Sequence, residues 1–504
     1  MSSLTRRSFL SVALASTSAL TFPHVSMADV TSPFSFQGLV ERARELATKS
    51  YRPRPKVPQD WLNLSYDEYQ TIWFRGKDAL WSNTDRSYNV DYFLPGLYFP
   101  RAVQIHTIVD GQAQHQPFDY SLFDKTDKAP ELSQEGDLGY SGFRLRTELS
   151  EPGEKREFCV FQGASYFRAI GATNDYGLSA RGLALKTGDP EGEEFPDFVE
   201  FWLEAPSAGQ KNIVVYALLD SPSVTGAYRF NIVPGTACVM DVEARLFARD
   251  ELPHVGIGPL TSMFLFDATN RSRFDDFRPA VHDSDGLLIE NGNGEVLWRP
   301  LANPAKLQIS SFVDENPRGF GLMQRARKFS DFADLEANYH KRPCLWVEPK
   351  GDWGKGAVTL VEIPADKEIY DNIVAYWRPR EAYAPGTEID LSYRLSWGQE
   401  PDMQLPRAID TAAGARIFGE QGRIMTIDFE ASPLFVDGPD ALDIFISSPH
   451  VETSEGVLQK NPETGGLRLA FSFDPGERDH VELRAQLRKD GQPATEVWLY
   501  RWTT

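Results

Sequence analysis

Between residue 140 and the C-terminus, almost every apolar stretch is too short for a stable helix and is cut off by Gly, Pro, Asn or Asp. "FVEFWLEAP" (198–206), "NIVVYALL" (212–219), "GAYRFNIV" (226–233) and "GAVTLVEI" (356–363) are typical. They are rich in β-branched and aromatic residues and either alternate or stay apolar, which is the signature of strands. A long series of such strands predicts a β-sandwich or barrel and argues against a nucleotide-binding α/β fold. Helical spacing shows in "FQGLVERARELATKSY" (36–51), and again mainly in "FADLEANYHKR" (332–342). With 504 residues there is room for roughly two to four domains.

The two ends differ from the middle. "TRRSFLSVALASTSALTF" sets Arg6 and Arg7 before an apolar run, and "SMA" at 26–28 supplies small residues for cleavage. Residues 1–28 are expected to be a secretory signal, of the twin-arginine type because Ser8, Phe9 and Leu10 follow the pair. No later segment is apolar enough to span a membrane as a helix. At the other end, "LSYRLSW" closes a strand at Trp397, and the polar spacer 398–407 follows. The runs "GRIMTIDFEA", "LDIFISS", "GLRLAFSFD", "VELRAQLRKDG" and "TEVWLYRW" then give the rhythm of an immunoglobulin-like sandwich. The expected division is a large β-sandwich at 32–397 and a small one at 408–504. The formal net charge of −20 becomes more negative when Arg6 and Arg7 are removed. Such a surface repels nucleic acid and suits neutral ligands such as sugars. Cys159, Cys238 and Cys344 each sit among apolar neighbours, so buried free thiols are expected in preference to a disulfide.

Chemistry concentrates in two acidic stretches. "FDDFRPAVHDSDGL" (274–287) holds Asp275, Asp276, His282, Asp283 and Asp285, and Trp298 and Arg299 follow. Three readings fit it: a metal loop, a turn between strands, or half of a carboxylate pair. "DSDG" is only a fragment of a calcium loop, and no metal is expected. Asp, Ser and Gly are ordinary turn formers. Glycoside hydrolysis needs a second carboxylate. "IPADKEIYDNIVAYWRP" (363–379) offers Asp366, Glu368 and Asp371 before a strand that ends in Trp377 and Arg378. Tryptophans near either stretch, and the patch around Tyr69, Trp73 and Trp81, could stack on sugar rings or simply fill the core. No serine-nucleophile elbow, phosphate loop, dinucleotide motif or zinc spacing is present, and nothing requires a cofactor.

Taken together, these segments resemble the periplasmic glucan biosynthesis protein G/D family. The resemblance is carried by "GASYFRAIG" and "YGLSARGLAL" (163–185), "TSMFLFD" (261–267), "FDDFRPAVHDSDGL", "LWRPLANP" (297–304), "FGLMQR" (320–325), "RPCLWVEPKGDWGKGAVTLVEIPAD" (342–366) and "DNIVAYWRP" (371–379). It covers nearly the whole chain after the leader, and the twin-arginine start is most like the D branch. It implies a galactose-mutarotase-like sandwich followed by an immunoglobulin-like one. It also implies a periplasmic setting in a Gram-negative bacterium and action on osmoregulated glucans with a β-1,2-linked backbone, as an inverting endo-acting hydrolase or transglycosylase.

Carried over by residue, the resemblance makes Asp371 the general acid and Asp283 the base, acting through water. Glu368 and Tyr339 would line the proton relay or the substrate. His282, Asp285, Trp298 and Trp346 are further candidates for relay or substrate binding. Ala280, Ala365 and Tyr370 depart from the family pattern beside this site. The implied partners are a β-1,2-linked glucan and the inner-membrane glucan synthase. The competing readings are a non-catalytic glucan-binding scaffold working with that synthase, and a mutarotase-like epimerase suggested by fold analogy alone.

Overall fold

The computed structural model describes residues 31–134, 136–416 and 422–503, so the leader lies outside the described residues. Strands dominate it. A long sheet runs, in spatial order, from Thr31–Pro33 through Gln112–Gln116, Gln104–Val109, Asp197–Glu204, Ile213–Asp220, Val224–Val233, Cys238–Ala248, Glu388–Gly398, Cys344–Pro349 and Gly319–Met323 to Gly286–Glu290 and Val296–Pro300. A second sheet faces it: Gln308–Glu315, Lys355–Glu362, Ile373–Pro379, Val255–Ser262, Ser179–Arg181, Tyr166–Ala169, Lys155–Gln162, Gly142–Glu148 and Tyr88–Phe93.

Alternation explains the layering. In Cys238–Ala248, residues Cys238, Met240, Val242, Ala244 and Leu246 point into the core. Asp241, Glu243 and Arg245 point away, and Asp241 sits directly opposite Arg394 on the next strand with an ion pair of 2.9 Å. Phe143, Phe161, Phe167, Phe198, Phe201 and Phe230 meet between the sheets with ring centroids 5.1–5.9 Å apart. The predicted first helix forms at Phe36–Ala47, capped by Ser35 Oγ on the Gly38 amide. Its Leu39, Val40 and Ala43 cover Trp202, Leu218, Ala227 and Phe247 on the outside of the long sheet. All three cysteines are free and buried. Among the described residues no helix is long and apolar enough to cross a membrane.

The second helical expectation fails. Residues 332–342 hold only the last residue of one short turn, Phe329–Phe332, and the whole of another, Tyr339–Lys341. Ala333 and Asn338 take left-handed backbone, and the Asp334 carboxylate accepts the amides of Glu336 and Ala337. This local side-chain-to-backbone bonding outcompetes the helix.

From Ala408 on, a four-stranded sheet (Ala408–Ala415, Arg423–Phe429, Leu467–Phe473, Val457–Lys460) packs on the strands Asp443–Ser447, His480–Lys489 and Val497–Thr503. The last of these pairs in parallel with Val296–Pro300, with Leu297 opposite Val497 and Trp298 opposite Trp498. The long sheet therefore continues without a break into the C-terminal strands. The spacer is not a free tether either. Glu400 within it is buried against the Arg325 guanidinium, which also binds Glu496 Oε1 at 2.5 Å and lies 3.5 Å over the Trp298 ring.

Candidate functional site

Asp283 follows the short strand Val281–His282, which pairs with Phe264–Phe266, and its amide donates to Met263 O at 2.8 Å. Asp371 ends the irregular loop that leads into Ile373–Pro379. The two carboxylates come from strand ends 88 positions apart in sequence and share one electrostatic neighbourhood: the charge of Asp371 raises the pKa of Asp283. Glu368 and Tyr339 belong to the same neighbourhood, since charges on Glu368 and Asp283 both act on the Tyr339 hydroxyl.

Burial decides the protonation here. Loss of solvent pushes Asp283 up to about 6, and Asp371 and Glu368 push the same way. Arg342, with Nε 3.2 Å from Asp283 Oδ1, and Arg168 oppose it. The Arg342 contact is an ion pair without hydrogen-bond alignment, so Oδ1 is left with no hydrogen-bond partner. Asp371 is exposed by area yet hemmed in by protein, and the desolvation raises its pKa while Arg168 and Arg181 pull it down. Arg168 forms no ion pair among the described residues and bears on both carboxylates. Arg181 is held by Thr261 Oγ1 at 2.9 Å and stacks 4.9 Å over the Tyr166 ring.

These arginines and Tyr166 stand on the outer face of the second sheet, because Phe167, Ala169 and Ala180 beside them face the core. On this face Tyr166, Arg168, Glu157 and Tyr176 border a hollow of about 310 Å³. Beside Glu368, Arg278 ties three loops together through Asp276 (2.8 Å), Asp334 (2.8 Å) and Glu368 (2.6 Å). The residues next to these partners are large, apolar and exposed: Phe277, Leu335, Ile369 and Tyr370. Among the described residues no group of His, Cys, Asp and Glu is arranged to hold a metal ion.

Four of the sequence candidates lie away from this cleft. His282 is buried; its Nδ1 donates to Gln324 Oε1 at 2.8 Å, its ring stacks on Phe264, and burial lowers its pKa to about 4. Its ring also meets Phe332 edge-on at 4.9 Å. Asp285 turns the opposite way from Asp283, and its Oδ2 accepts the amides of Arg325 (2.7 Å) and Ala326 (3.0 Å). Trp298 lies flat on Gly286, where an added Cβ would sit 2.1 Å from the ring. Trp346 covers Gly319 in the same manner. Both tryptophans belong to the core shared with the C-terminal strands, and Trp298 also lines a hollow of about 560 Å³ with His282, Asp285 and Arg325. Sequence reasoning missed Arg168, Arg181, Arg278, Arg342 and Tyr166. The alternation in "YFRA" (166–169) was the available signal, since it puts Tyr166 and Arg168 on the face opposite the core.

Residues 34–502 match the family described as periplasmic glucan biosynthesis protein, MdoG. The chain is 48% identical over 484 residues to "Glucans biosynthesis protein G" of Vibrio cholerae serotype O1, covering 94% of this chain and 87% of that relative. It is 46% identical over 483 residues to the protein of the same name from Shewanella sp. strain MR-7, with the same coverage. These relatives carry the G name; the leader that pointed to the D branch lies outside the described residues. A galactose mutarotase related enzyme from Lactobacillus acidophilus aligns with 47% of this chain and 96% of its own, at 10% identity and a TM-score of 0.20. A match across nearly the whole chain, with two close relatives of similar length, settles the grouping: the chain belongs to the MdoG family of periplasmic glucan biosynthesis proteins.

Proposed function

We propose that the protein acts in periplasmic glucan biosynthesis as an inverting, endo-acting glycoside hydrolase or transglycosylase on β-1,2-linked glucan. The observation that supports this reading is a pair of carboxyls, Asp283 and Asp371, carried by separate loops and electrostatically coupled, each with its pKa raised by loss of solvent. Asp371 protonates the leaving glycosidic oxygen. Burial raises the Asp371 pKa, which is the direction a general acid needs. Asp283, ionised above about 6, draws the proton from the attacking water. An inverting pair needs roughly 6.5–9.5 Å between its carboxyls to seat that water. Glu368 and the Tyr339 hydroxyl extend the path along which the proton leaves. Arg168 and Arg342 keep Asp283 from remaining protonated. The exposed side chains of Tyr370 and Phe277, next to Asp371 and Arg278, suit contact with the apolar faces of sugar rings. In the same proposal a twin-arginine leader exports the folded chain, and the inner-membrane synthase supplies the glucan.

The test is incubation of the protein and its Asp371→Asn variant with linear β-1,2-glucan, followed by chromatography of the products and NMR of the first-formed anomer. New shorter chains of inverted configuration, absent with the variant, support the reading. An unchanged polymer that is still retained by the protein overturns it and leaves a non-catalytic glucan-binding scaffold. A shift in anomer ratio of free sugar alone leaves an epimerase.

A further inference from the structure

The loop that carries Glu368 and Asp371 has no regular structure of its own between Ile363 and Asn372. Its two ends are nevertheless fastened to one place. Asn372, 2% exposed, uses its whole amide on backbone: Oδ1 accepts the Phe264 amide at 2.8 Å, and Nδ2 donates to Phe264 O at 2.9 Å and Ile363 O at 3.0 Å. Asn303, 1% exposed, repeats the device one residue further on. Its Nδ2 donates to Leu265 O at 3.0 Å and Ala365 O at 2.8 Å, while its Oδ1 accepts the Ala365 amide at 3.0 Å. The Ile363 amide closes the loop's neck on Asn372 O at 2.8 Å. On its other side the same stretch of chain seats Asp283, through the Asp283 amide on Met263 O and the pairing of Phe264 with His282.

Residues 263–265 are thus the common support of both carboxylates. The base hangs from it by strand pairing, and the acid loop hangs from it by two asparagine side chains that act as a substitute strand. A carboxamide suits this role because it presents a donor and an acceptor in one plane, as a peptide does. Stretching or tilting either fastening alters the separation between the groups.

We propose that Asn372 and Asn303 are positioning residues that fix the spacing of Asp371 and Asp283. The proposal rests on the two-carboxylate reading given above. A displacement of about 1 Å in a catalytic constellation lowers turnover by about 10²-fold. Asn372→Ser, next to the acid, is expected to lower kcat by that order per folded molecule, with KM within about threefold of wild type. Asn303→Ser, fastened six residues before the acid, is expected to lower kcat less. In both, the ascending limb of the pH–rate profile moves, because the coupling between the carboxylates changes. Met240→Ala, a core variant in the long sheet, is the control for simple loss of stability: its melting temperature falls while its pH profile stays put.

Asparagine variants that fold and keep wild-type kcat and pH profile overturn the proposal. If neither variant folds, hydrogen exchange of the unmodified chain decides. Protection of the Phe264, Ile363 and Ala365 amides equal to that of neighbouring strand amides supports it, and fast exchange at these three overturns it. A wild-type protein that leaves glucan uncut overturns the hydrolase reading instead, while the exchange result still reports on the fastening itself.

Discussion

Asp283 and Asp285 stand two residues apart in "HDSDG" and enter two different kinds of charge cluster. Asp285 faces the junction with the C-terminal strands. There Arg325 is saturated by Glu400, Glu496 and the Ala408 carbonyl, and stacked on Trp298. Asp283 faces the cleft. There it, Asp371 and Glu368 repel one another, Arg342 is poorly aligned, and Asp283 Oδ1 has no hydrogen-bond partner. Each aspartate keeps a buried oxygen, Oδ1, without a hydrogen-bond partner, so the difference lies in what surrounds the other oxygen and in the cations. Asp285 Oδ2 accepts two backbone amides beside an Arg325 that is fully engaged, whereas Asp283 has the misaligned Arg342 and two further carboxylates around it. A cluster of carboxylates with so little direct pairing is the kind that perturbed functional groups form.

The largest effect expected is at the cleft. Asp283→Asn removes a repelling charge, so glucan cutting falls by about 10²–10⁴-fold while the melting temperature holds or rises. A fall in both would erase the distinction. At the junction the expectation inverts. Arg325→Met leaves Glu496 buried without a cation and Glu400 with Arg407 alone, and lowers stability by about 3–5 kcal/mol in denaturant titration. Turnover per folded molecule changes little, because methionine keeps the backbone amide that Asp285 accepts.

A third expectation sharpens the contrast through pH. Asp283 and Asp285 are pushed up to about 6 and Asp267 to about 7, all above the unfolded carboxylate value. An acid whose folded pKa is raised favours the fold while protonated and opposes it once ionised. These three groups therefore withdraw stability as pH rises from about 4 to 7, by up to about 3 kcal/mol for Asp283. Melting temperatures across that range check the slope, and Asp283→Asn should flatten it. The smallest effect is next to Asp371: Tyr370→Ala raises KM for long glucan by a few fold and leaves stability within about 0.5 kcal/mol.

The strand rhythm, the first helix and the chemical interest of "HDSDG" were legible because each is written in local periodicity or turn chemistry. Residues 332–342 were not, because their helical spacing competes with the hydrogen bonds of one aspartate, Asp334. Trp298 and Trp346 read equally well as core or as sugar platform. Their place in the core rests on Gly286 and Gly319, whose missing side chains let the rings lie flat, and which become neighbours only through strand pairing. The Arg278 hub joins residues up to 90 positions apart, and Asn303 and Asn372 reach backbone rather than side chains. Neither leaves a local mark. The spacer 398–407 looked like a tether because it is polar, yet Glu400 within it is among the more deeply buried charges.

The parallel pairing of Val296–Pro300 with Val497–Thr503 has a consequence for how the protein is made. A ribosome must add roughly two hundred residues after the first of these strands before the second exists. Until then Val296–Pro300 has one open edge, and an open edge invites pairing with the wrong chain. Contacts this distant in sequence also form slowly. The sheet stays open until Val497–Thr503 exists, so a product cut short before it lacks the strand that bridges Val296–Pro300 to His480–Lys489. Removal of residues 497–503 should therefore expose two strand edges at once.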